Sequence, residues 1–176
     1  MKQKKKNLFL CHASLLAVCR DGLYETELTA LMRREDDENT LPLALWVSLY
    51  SQIKVFLRIV VTKDNKLQLV HAETLQVVRQ RYLPKNDDVI KVHSLLGAFF
   101  LSQSNVDAHR STINEVPPLV NRRALSEVAH HLAAACRWGD LSGLLTDLIF
   151  VELRCKVGQV HELLRDYDRL LGNNNS

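Results

Sequence analysis

Cysteine, glycine and proline are scarce in this sequence of 176 residues. It contains six glycines, four prolines and four cysteines, and aromatic residues make up only 6%. The cysteines form no C-x-x-C pair and have no histidines at zinc-finger spacing, which excludes the common structural zinc motifs. A chain with this much core material does not need disulfides, so we expect reduced thiols. The four cysteines are Cys11, Cys19, Cys136 and Cys155.

The histidines do not form a recognisable motif either. His130 and His131 are adjacent, so on a helix their side chains diverge by about 100° and are not expected to share a metal ion. The spacing of His12, His93, His109 and His161 suggests no constellation. The sequence therefore predicts no metal site.

A phosphate-binding loop is also missing from the sequence. NTPases that cradle phosphate in a glycine-rich loop need the pattern G-x-x-x-x-G-K-[ST] and an acidic group for magnesium, and no such loop occurs here. A thiol hydrolase is disfavoured because Cys136 follows His130 and His131 by six and five residues, a spacing at which helical side chains do not meet reliably. We therefore predict that the chain is not an enzyme.

Apolar runs without charged or polar interruptions are absent as well. The stretch "LPLALWVSLYSQIKVFLRIVV" includes Gln52, Lys54 and Arg58, which make a membrane span costly. The start, "MKQKKKNLFLCHASLLAVC", has the basic and apolar parts of a secretory signal, but His12 and Ser14 interrupt it and no small-x-small cleavage site follows. We expect an ordinary helix there, a cytoplasmic location and no membrane association.

The composition is that of a globular protein. Hydrophobic residues make up 47% of the chain and charged residues 24%, which is enough for a core. The net charge of +3 owes much to the lysines of "MKQKKK". A basic tip without a basic patch on a folded face does not favour nucleic acid as a partner.

The first half of the chain has the element order of a winged helix. Leu8 to Arg20 predicts a helix that ends at Asp21-Gly22, and "YETELTALMRRE" predicts a second. Thr40 and Pro42 can start a third, with Leu45, Leu49, Ile53 and Phe56 or Leu57 on one face. "FLRIVVTKDNKLQLV" predicts a hairpin around Asp64-Asn65, and "AETLQVVRQRYL" a closing helix before Pro84. We predict a basic disordered tip at 1–6 and a winged-helix domain at 7–84.

The second half has only helical patterns, so the predicted fold class is mainly α. Residues 85–120 predict a long helix, Asp87 to about Ser104, and a linker containing Pro117-Pro118. Residues 121–172 predict α-solenoid-like helical hairpins, and 173–176 a disordered tail. Gly139-Asp140 and Gly158 separate the last three predicted helices, which are Asn121 to Cys136, Leu141 to about Lys156 and Gln159 to Leu171.

Three segments carry a family resemblance. "LLAVCRDGLYETEL", "LQLVHAETLQVVRQRYL" and "RALSEVAHHLAAACRWGDLSGLLTDLIFVELRCKVGQVHELLRDY" resemble the region after the nucleotide-binding core in NACHT-type signal-transduction NTPases that carry tetratricopeptide repeats. In that family a winged helix follows the ATPase core and leads into a helical repeat array. The resemblance implies protein partners, including a nucleotide-binding domain in cis or in trans. It also implies a fragment or short isoform that holds no cofactor itself, with ADP or ATP bound only when such a core is present.

His71 acquires a possible role through this resemblance. In the family, a winged-helix histidine in a Met-His-Asp-like motif approaches the β-phosphate of ADP and helps to hold the inactive state. Here the triplet is Val70-His71-Ala72, and both neighbours depart from the pattern. A histidine at a helix start is suited to phosphate because backbone N–H groups there also face the anion. The alternative is a capping or packing histidine.

The predicted third helix distinguishes two functions. A nucleic-acid-binding winged helix reads the major groove with that helix, yet in "LPLALWVSLYSQIKVFL" only Gln52 and Lys54 could contact bases. Trp46 and Tyr50 are instead candidate protein-contact residues. We predict a non-catalytic regulatory and protein-interaction module that relays nucleotide state to a helical-repeat scaffold, with a nucleic-acid-binding winged helix as the alternative.

Overall fold

Helices form most of the computed structural model, as the sequence periodicity predicts. The structure describes residues 13–32, 46–48, 50, 51, 54–60, 66–69, 71–104, 106, 107 and 119–173. The chain divides into two compact units: unit 1 is Met1–Val89 and unit 2 is Ile90–Ser176. The division lies five residues beyond the end predicted for the first domain at Pro84, inside the first turn of a helix.

Unit 1 begins with two helices that flank a tight turn. Residues 13–18 belong to α1, and Gly22 after it has a φ of 75°, the left-handed conformation expected at that position. Helix α2 spans Glu25–Leu31, and its Glu27 carboxylate accepts a hydrogen bond of 2.9 Å from the backbone N–H of Tyr24. This contact satisfies one of the N–H groups left open at a helix start.

The third helical segment includes residues 46–48, 50 and 51, and we call it α3. A short 3₁₀ turn, Lys54–Phe56, follows it. The predicted start at Thr40 and Pro42 and the predicted apolar positions Leu45, Leu49 and Ile53 lie outside the described residues.

Two short strands follow α3, in the segment where the sequence predicts them. Strands β1, Leu57–Val60, and β2, Lys66–Leu69, pair antiparallel, with Leu57 opposite Leu69 and Val60 opposite Lys66. The predicted turn residues Asp64 and Asn65 lie outside the described residues. Leu23, between α1 and α2, forms a β-bridge with Leu67 on β2.

Helix α4, Ala72–Tyr82, is the last complete helix of unit 1 and ends before Pro84. Its Arg79 donates from Nη2 to the carbonyl oxygen of Ala17 over 3.1 Å, which ties α4 to α1. Among the described residues, the buried apolar side chains of unit 1 come from α1, α2, α3, α4 and β2 and from Leu23, Met32 and Leu83 beside them. They are Ala13, Leu15, Leu16, Ala17, Val18, Leu23, Leu28, Met32, Trp46, Leu67, Val78 and Leu83.

Unit 2 contains most of the long helix α5, Asn86–Gln103, and, among its described residues, four further helices of nine residues or more. Helix α6 spans Arg122–Ala134 and begins where the sequence predicts, because the Asn121 side chain accepts from the N–H of Ala124 at 3.0 Å. The final helix, Val160–Asn173, starts after Gly158, which has a φ of 73°. The predicted linker prolines and residues 174–176 lie outside the described residues.

The prediction of a single helix from Leu141 to Lys156 is wrong. The segment forms two helices, α7 at Trp138–Thr146 and α8 at Leu148–Lys156. Asp147 separates them and caps α8, since its Oδ1 accepts from the N–H of Ile149 at 3.0 Å. The turn before α7 also differs from the predicted one at Gly139-Asp140, because Cys136 takes the left-handed conformation with a φ of 55°.

We call the final helix, Val160–Asn173, α9. It forms one packed group with α6, α7 and α8. Each of α6, α7, α8 and α9 contacts the other three. Arg154 is fully buried among them: Nη1 donates to the Leu125 carbonyl at 2.6 Å and Nη2 to Asp166 Oδ2 at 3.0 Å. The buried apolar residues of unit 2 include Leu96, Phe100, Ala124, Leu125, Val128, Ala129, Leu132, Leu141, Leu145, Phe150, Leu153 and Leu163.

None of the helices in the described part of the chain is long and apolar enough to span a bilayer.

Candidate functional site

His71 occupies the residue position immediately before α4. It has extended backbone angles, and its carbonyl oxygen accepts the N–H of Leu75 at 3.1 Å, the first bond of the helix. Its side chain is exposed and makes no capping hydrogen bond. The backbone of His71 therefore starts the helix, while its imidazole contributes nothing to the cap.

Trp46 and Tyr50, the predicted protein-contact residues, differ in accessibility. Trp46 is only 5% exposed, and its indole N–H donates to a carboxylate oxygen of Glu25. The ring of Tyr50 lies 5.8 Å from that of Trp46, and its side chain is half-buried. Trp46 thus joins α3 to α2 in the core of unit 1, which leaves Tyr50 as the more accessible of the two.

A group of histidines in unit 2 is the most chemically distinctive arrangement among the described residues. His93 of α5 and His130 and His131 of α6 each offer a ring nitrogen, and these three atoms lie within 4.8 Å of one another. We call these three residues the histidine cluster. The Nδ1 atoms of His93 and His131 are 2.8 Å apart, a hydrogen-bond distance at which one nitrogen donates and the other accepts.

A close approach of two helices brings the histidine cluster together. His93, Gly97 and Phe100 follow one another at four- and three-residue spacing, so they share a face of α5. A Cβ placed on Gly97 would lie 3.3 Å from Leu132 Cδ2 of α6. The absence of a side chain at Gly97 therefore lets α5 approach α6 one turn from His93.

Burial differs within the histidine cluster. His131 is fully buried, whereas His93 and His130 are half-buried. Nε2 of His131 lies 3.5 Å from Oε2 of Glu127, one helical turn earlier on α6, and Glu127 is itself only 3% exposed. The buried imidazole thus has His93 on its Nδ1 side and a carboxylate on its Nε2 side.

Stacked rings fix the orientation of His131. The Phe100 ring lies parallel to the His131 ring, with centroids 5.7 Å apart and planes 1° apart. On Phe100, in turn, lies the guanidinium of Arg123, 5.4 Å from the ring centroid. A ring held on one face by stacking and at Nδ1 by a hydrogen bond to His93 has little freedom to rotate.

Neutral imidazoles grouped in this way can bind a transition-metal ion or share a proton. Sequence reasoning missed the histidine cluster because 38 residues separate His93 from His131 and because adjacent histidines diverge at their Cβ atoms. The rings of His130 and His131 nevertheless come within 5.1 Å, centroid to centroid, and His93 lies against both. The local signal for the cluster was Glu127, an acidic residue four positions before His131 and therefore on the same face of the helix.

The other histidines and cysteines considered in the sequence do not belong to the histidine cluster or lie outside the described residues. His161 is exposed on α9, and His12 and His109 are not among the described residues. Among the described cysteines, Cys19, Cys136 and Cys155 are not in a disulfide, and the last two are exposed.

No protein-family model matches the sequence, and neither a curated protein nor a solved structure matches it significantly.

Proposed function

We propose that the chain is a non-catalytic regulatory and protein-interaction module, in which unit 1 is a winged helix and unit 2 is a helical-repeat-like scaffold. In this proposal unit 1 docks on the nucleotide-binding core of a NACHT-type NTPase in the cytoplasm, in cis or in trans. The nucleotide state of that core biases the docking, and unit 2 presents the result to a protein partner.

One observation carries the winged-helix part of the proposal. Leu23, between α1 and α2, exchanges two backbone hydrogen bonds with Leu67 on β2, of 3.1 and 2.8 Å. A winged helix has this arrangement, in which the segment between its first two helices pairs with a strand of the hairpin. The order helix, bridge, helix, helix, hairpin in unit 1 therefore supports a wing rather than an isolated β-hairpin.

The position of His71 supports a nucleotide-facing role. Its imidazole is exposed and makes no capping hydrogen bond, so the start of α4 does not engage it. It precedes an 11-residue helix, whose first N–H groups and dipole favour an anion. A phosphate at this position would meet both the imidazole and the helix start.

Exposed apolar side chains on α9 support a protein partner for unit 2. Val160, Leu164 and Leu171 are 45%, 55% and 60% exposed, and their spacing of four and seven residues places them on one face of the helix. Apolar residues grouped on an exposed face are typical of protein interaction sites. Neither unit requires a cofactor of its own for this role.

The test is a binding assay of the purified chain with an isolated NACHT-type nucleotide-binding core, loaded with ADP or with a non-hydrolysable ATP analogue. We expect tighter binding to the ADP-loaded core. His71→Ala should reduce that preference about tenfold or more, because a hydrogen bond to a charged group contributes about 1.5 to 3 kcal/mol. His161→Ala is the matched control, since it removes an exposed histidine from unit 2.

Two results would overturn this proposal. The first is that the unmutated chain binds the ADP-loaded core and the core loaded with the ATP analogue equally tightly, and that His71→Ala changes neither affinity. The other is tight binding of duplex DNA that weakens steeply between low and moderate salt, which would assign the winged helix to nucleic acid.

A further inference from the structure

We propose that the histidine cluster, His93, His130 and His131, is a binding site for one divalent transition-metal ion, with zinc as the best-fitting ion. The proposal does not depend on the nucleotide-dependent function, because the histidine cluster belongs to unit 2 and His71 to unit 1. It also opposes the expectation from sequence spacing that the chain has no metal site.

The size of the histidine cluster fits a tetrahedral ion. The three ring centroids are separated by 5.1 Å for His93 and His131, 5.1 Å for His130 and His131, and 6.0 Å for His93 and His130. Zinc–nitrogen bonds of about 2.0 to 2.1 Å at tetrahedral angles place the centroids of bound imidazoles roughly 5 Å apart. The ring centroids therefore have the spacing of ligands to a single ion, whereas the ring nitrogens, within 4.8 Å of one another, must approach to about 3.3 Å when the ion binds.

The polar neighbours of His131 match those of a metal-binding histidine. Its Nδ1 faces His93 at 2.8 Å, and its Nε2 faces the buried Glu127 carboxylate at 3.5 Å. Metal-bound histidines almost always donate their second ring N–H to a carboxylate, a carbonyl or water, which fixes the tautomer and increases the basicity of the ligand. A proton on Nε2 of His131 would face the Glu127 carboxylate, 3.5 Å away, and leave the Nδ1 lone pair for the ion.

Binding requires a small movement of His93. Two nitrogens on a tetrahedral zinc are about 3.3 Å apart, whereas Nδ1 of His93 and Nδ1 of His131 are 2.8 Å apart. The ion replaces the proton shared by these atoms, and the half-buried His93 ring moves outward by about half an ångström. His131, held by Phe100 and Glu127, stays in place.

The ligand set determines which ions can bind. Three imidazoles and no oxygen ligand suit zinc, cobalt, nickel or copper, whereas magnesium and calcium require oxygen ligands. The negative charge of the nearby Glu127 partly compensates the divalent cation. Three protein ligands leave a fourth position on a tetrahedral ion for water or a partner group.

The test is a zinc titration of the chelator-treated full chain against a colorimetric zinc indicator, with the thiols alkylated so that only the histidines compete. We expect one equivalent of zinc per chain, no competition from magnesium or calcium, and visible bands of tetrahedral cobalt when cobalt replaces zinc. His93→Gln and His130→Gln should each weaken binding more than tenfold. These two are chosen because both rings are half-buried, so their replacement does not open the core.

Two further variants make the assignment specific. His161→Gln, which changes an exposed histidine of α9, should bind zinc as the unmutated chain does. Glu127→Gln should weaken binding by roughly 10- to 100-fold if its carboxylate supports His131. NMR of the imidazole nitrogens should show zinc on Nδ1 of His131 and the proton on Nε2.

The proposal is overturned if the alkylated chain binds no zinc at micromolar concentration, in which case the histidine cluster is a hydrogen-bonded part of the core. It is also overturned if His93→Gln and His161→Gln weaken binding equally, since that result places the ion elsewhere on the chain.

Discussion

The side chains of Arg154 and Asp166 form a buried ion pair, with Nη2 and Oδ2 3.0 Å apart. Arg154 also donates to the Leu125 carbonyl, so a single guanidinium connects α8 to both α6 and α9. A second cation, the half-exposed Arg169, approaches the other oxygen of Asp166 at 3.2 Å. Unit 2 thus has a polar connection at the centre of its packed helices.

Replacing Arg154 by methionine should destabilise unit 2. The change keeps much of the side-chain volume but removes the buried cation beside Asp166, whose other oxygen still faces Arg169. Breaking a buried pair from one side costs about 3 to 5 kcal/mol, and Arg169 should keep the loss near 3 kcal/mol. The free energy of unfolding in urea, followed by far-UV circular dichroism, measures this loss.

The control for Arg154 lies on the same helix. Lys156 and Glu152 form an exposed pair 2.6 Å apart, and such pairs contribute less than about 1 kcal/mol. Lys156→Met should therefore change the free energy of unfolding only slightly. Similar losses in the two variants would show that burial does not strengthen the Arg154 pair.

Gly22→Ala should destabilise unit 1 by at least about 2 kcal/mol. The left-handed φ of 75° costs a residue with a Cβ about 1 to 2 kcal/mol, and the new Cβ would lie 2.5 Å from the Leu67 carbonyl oxygen. That oxygen accepts the N–H of Leu23, so relieving the overlap would disturb the bridge to β2. Chemical denaturation measures the change.

Gly158→Ala isolates the conformational part of this effect. Gly158 has nearly the same φ, 73°, but a Cβ there would meet nothing within 4 Å. We expect a loss of only about 1 kcal/mol. If Gly158→Ala costs as much as Gly22→Ala, the close contact with Leu67 contributes nothing.

Asp147→Ala should weaken the start of α8. The substitution removes the oxygen that accepts the N–H of Ile149, and loss of such a cap costs about 0.5 to 2 kcal/mol. Asp147→Asn retains an acceptor at the same position, so its unfolding midpoint should stay close to that of the unmutated chain. An equal loss in both variants would point to the charge of Asp147 rather than to its hydrogen bond.

Replacing His71 tests whether this histidine has a structural role. Because its exposed side chain makes no capping bond, His71→Ala should change the free energy of unfolding by less than about 0.5 kcal/mol. His71→Asp should stabilise unit 1 by roughly 0.5 to 1 kcal/mol, since a carboxylate can accept from the open N–H groups of α4. A loss above about 1 kcal/mol in His71→Ala would identify a packing histidine.

Local signals in the sequence predict those helix boundaries that depend on local chemistry. Gly22, Asn121 and Gly158 end or start helices as expected, because left-handed glycine and side-chain caps act within a few residues. The turn before α7 could not be predicted in this way, since Cys136 adopts a positive φ that few non-glycine residues take. The boundary predicted from the sequence falls at the nearby Gly139 instead, because glycine is the residue that most often ends a helix.

The split between α7 and α8 has a different cause. An aspartate inside an amphipathic pattern is compatible with a solvated position in one helix and with the cap of a second helix. The structure shows that Asp147 is a cap. The histidine cluster could not be predicted from local signals alone. It depends on α5 approaching α6 at Gly97, a long-range contact that no spacing in the sequence encodes.

The two tryptophans of the chain lie in different units, Trp46 in unit 1 and Trp138 at the start of α7 in unit 2. Trp46 is buried beside Glu25, so its fluorescence should shift to longer wavelength when unit 1 unfolds and water reaches the indole. A Trp138→Phe variant reports on unit 1 alone, and a Trp46→Phe variant on unit 2. Each unit thus carries its own optical probe, with which cooperativity between the units can be measured without any label.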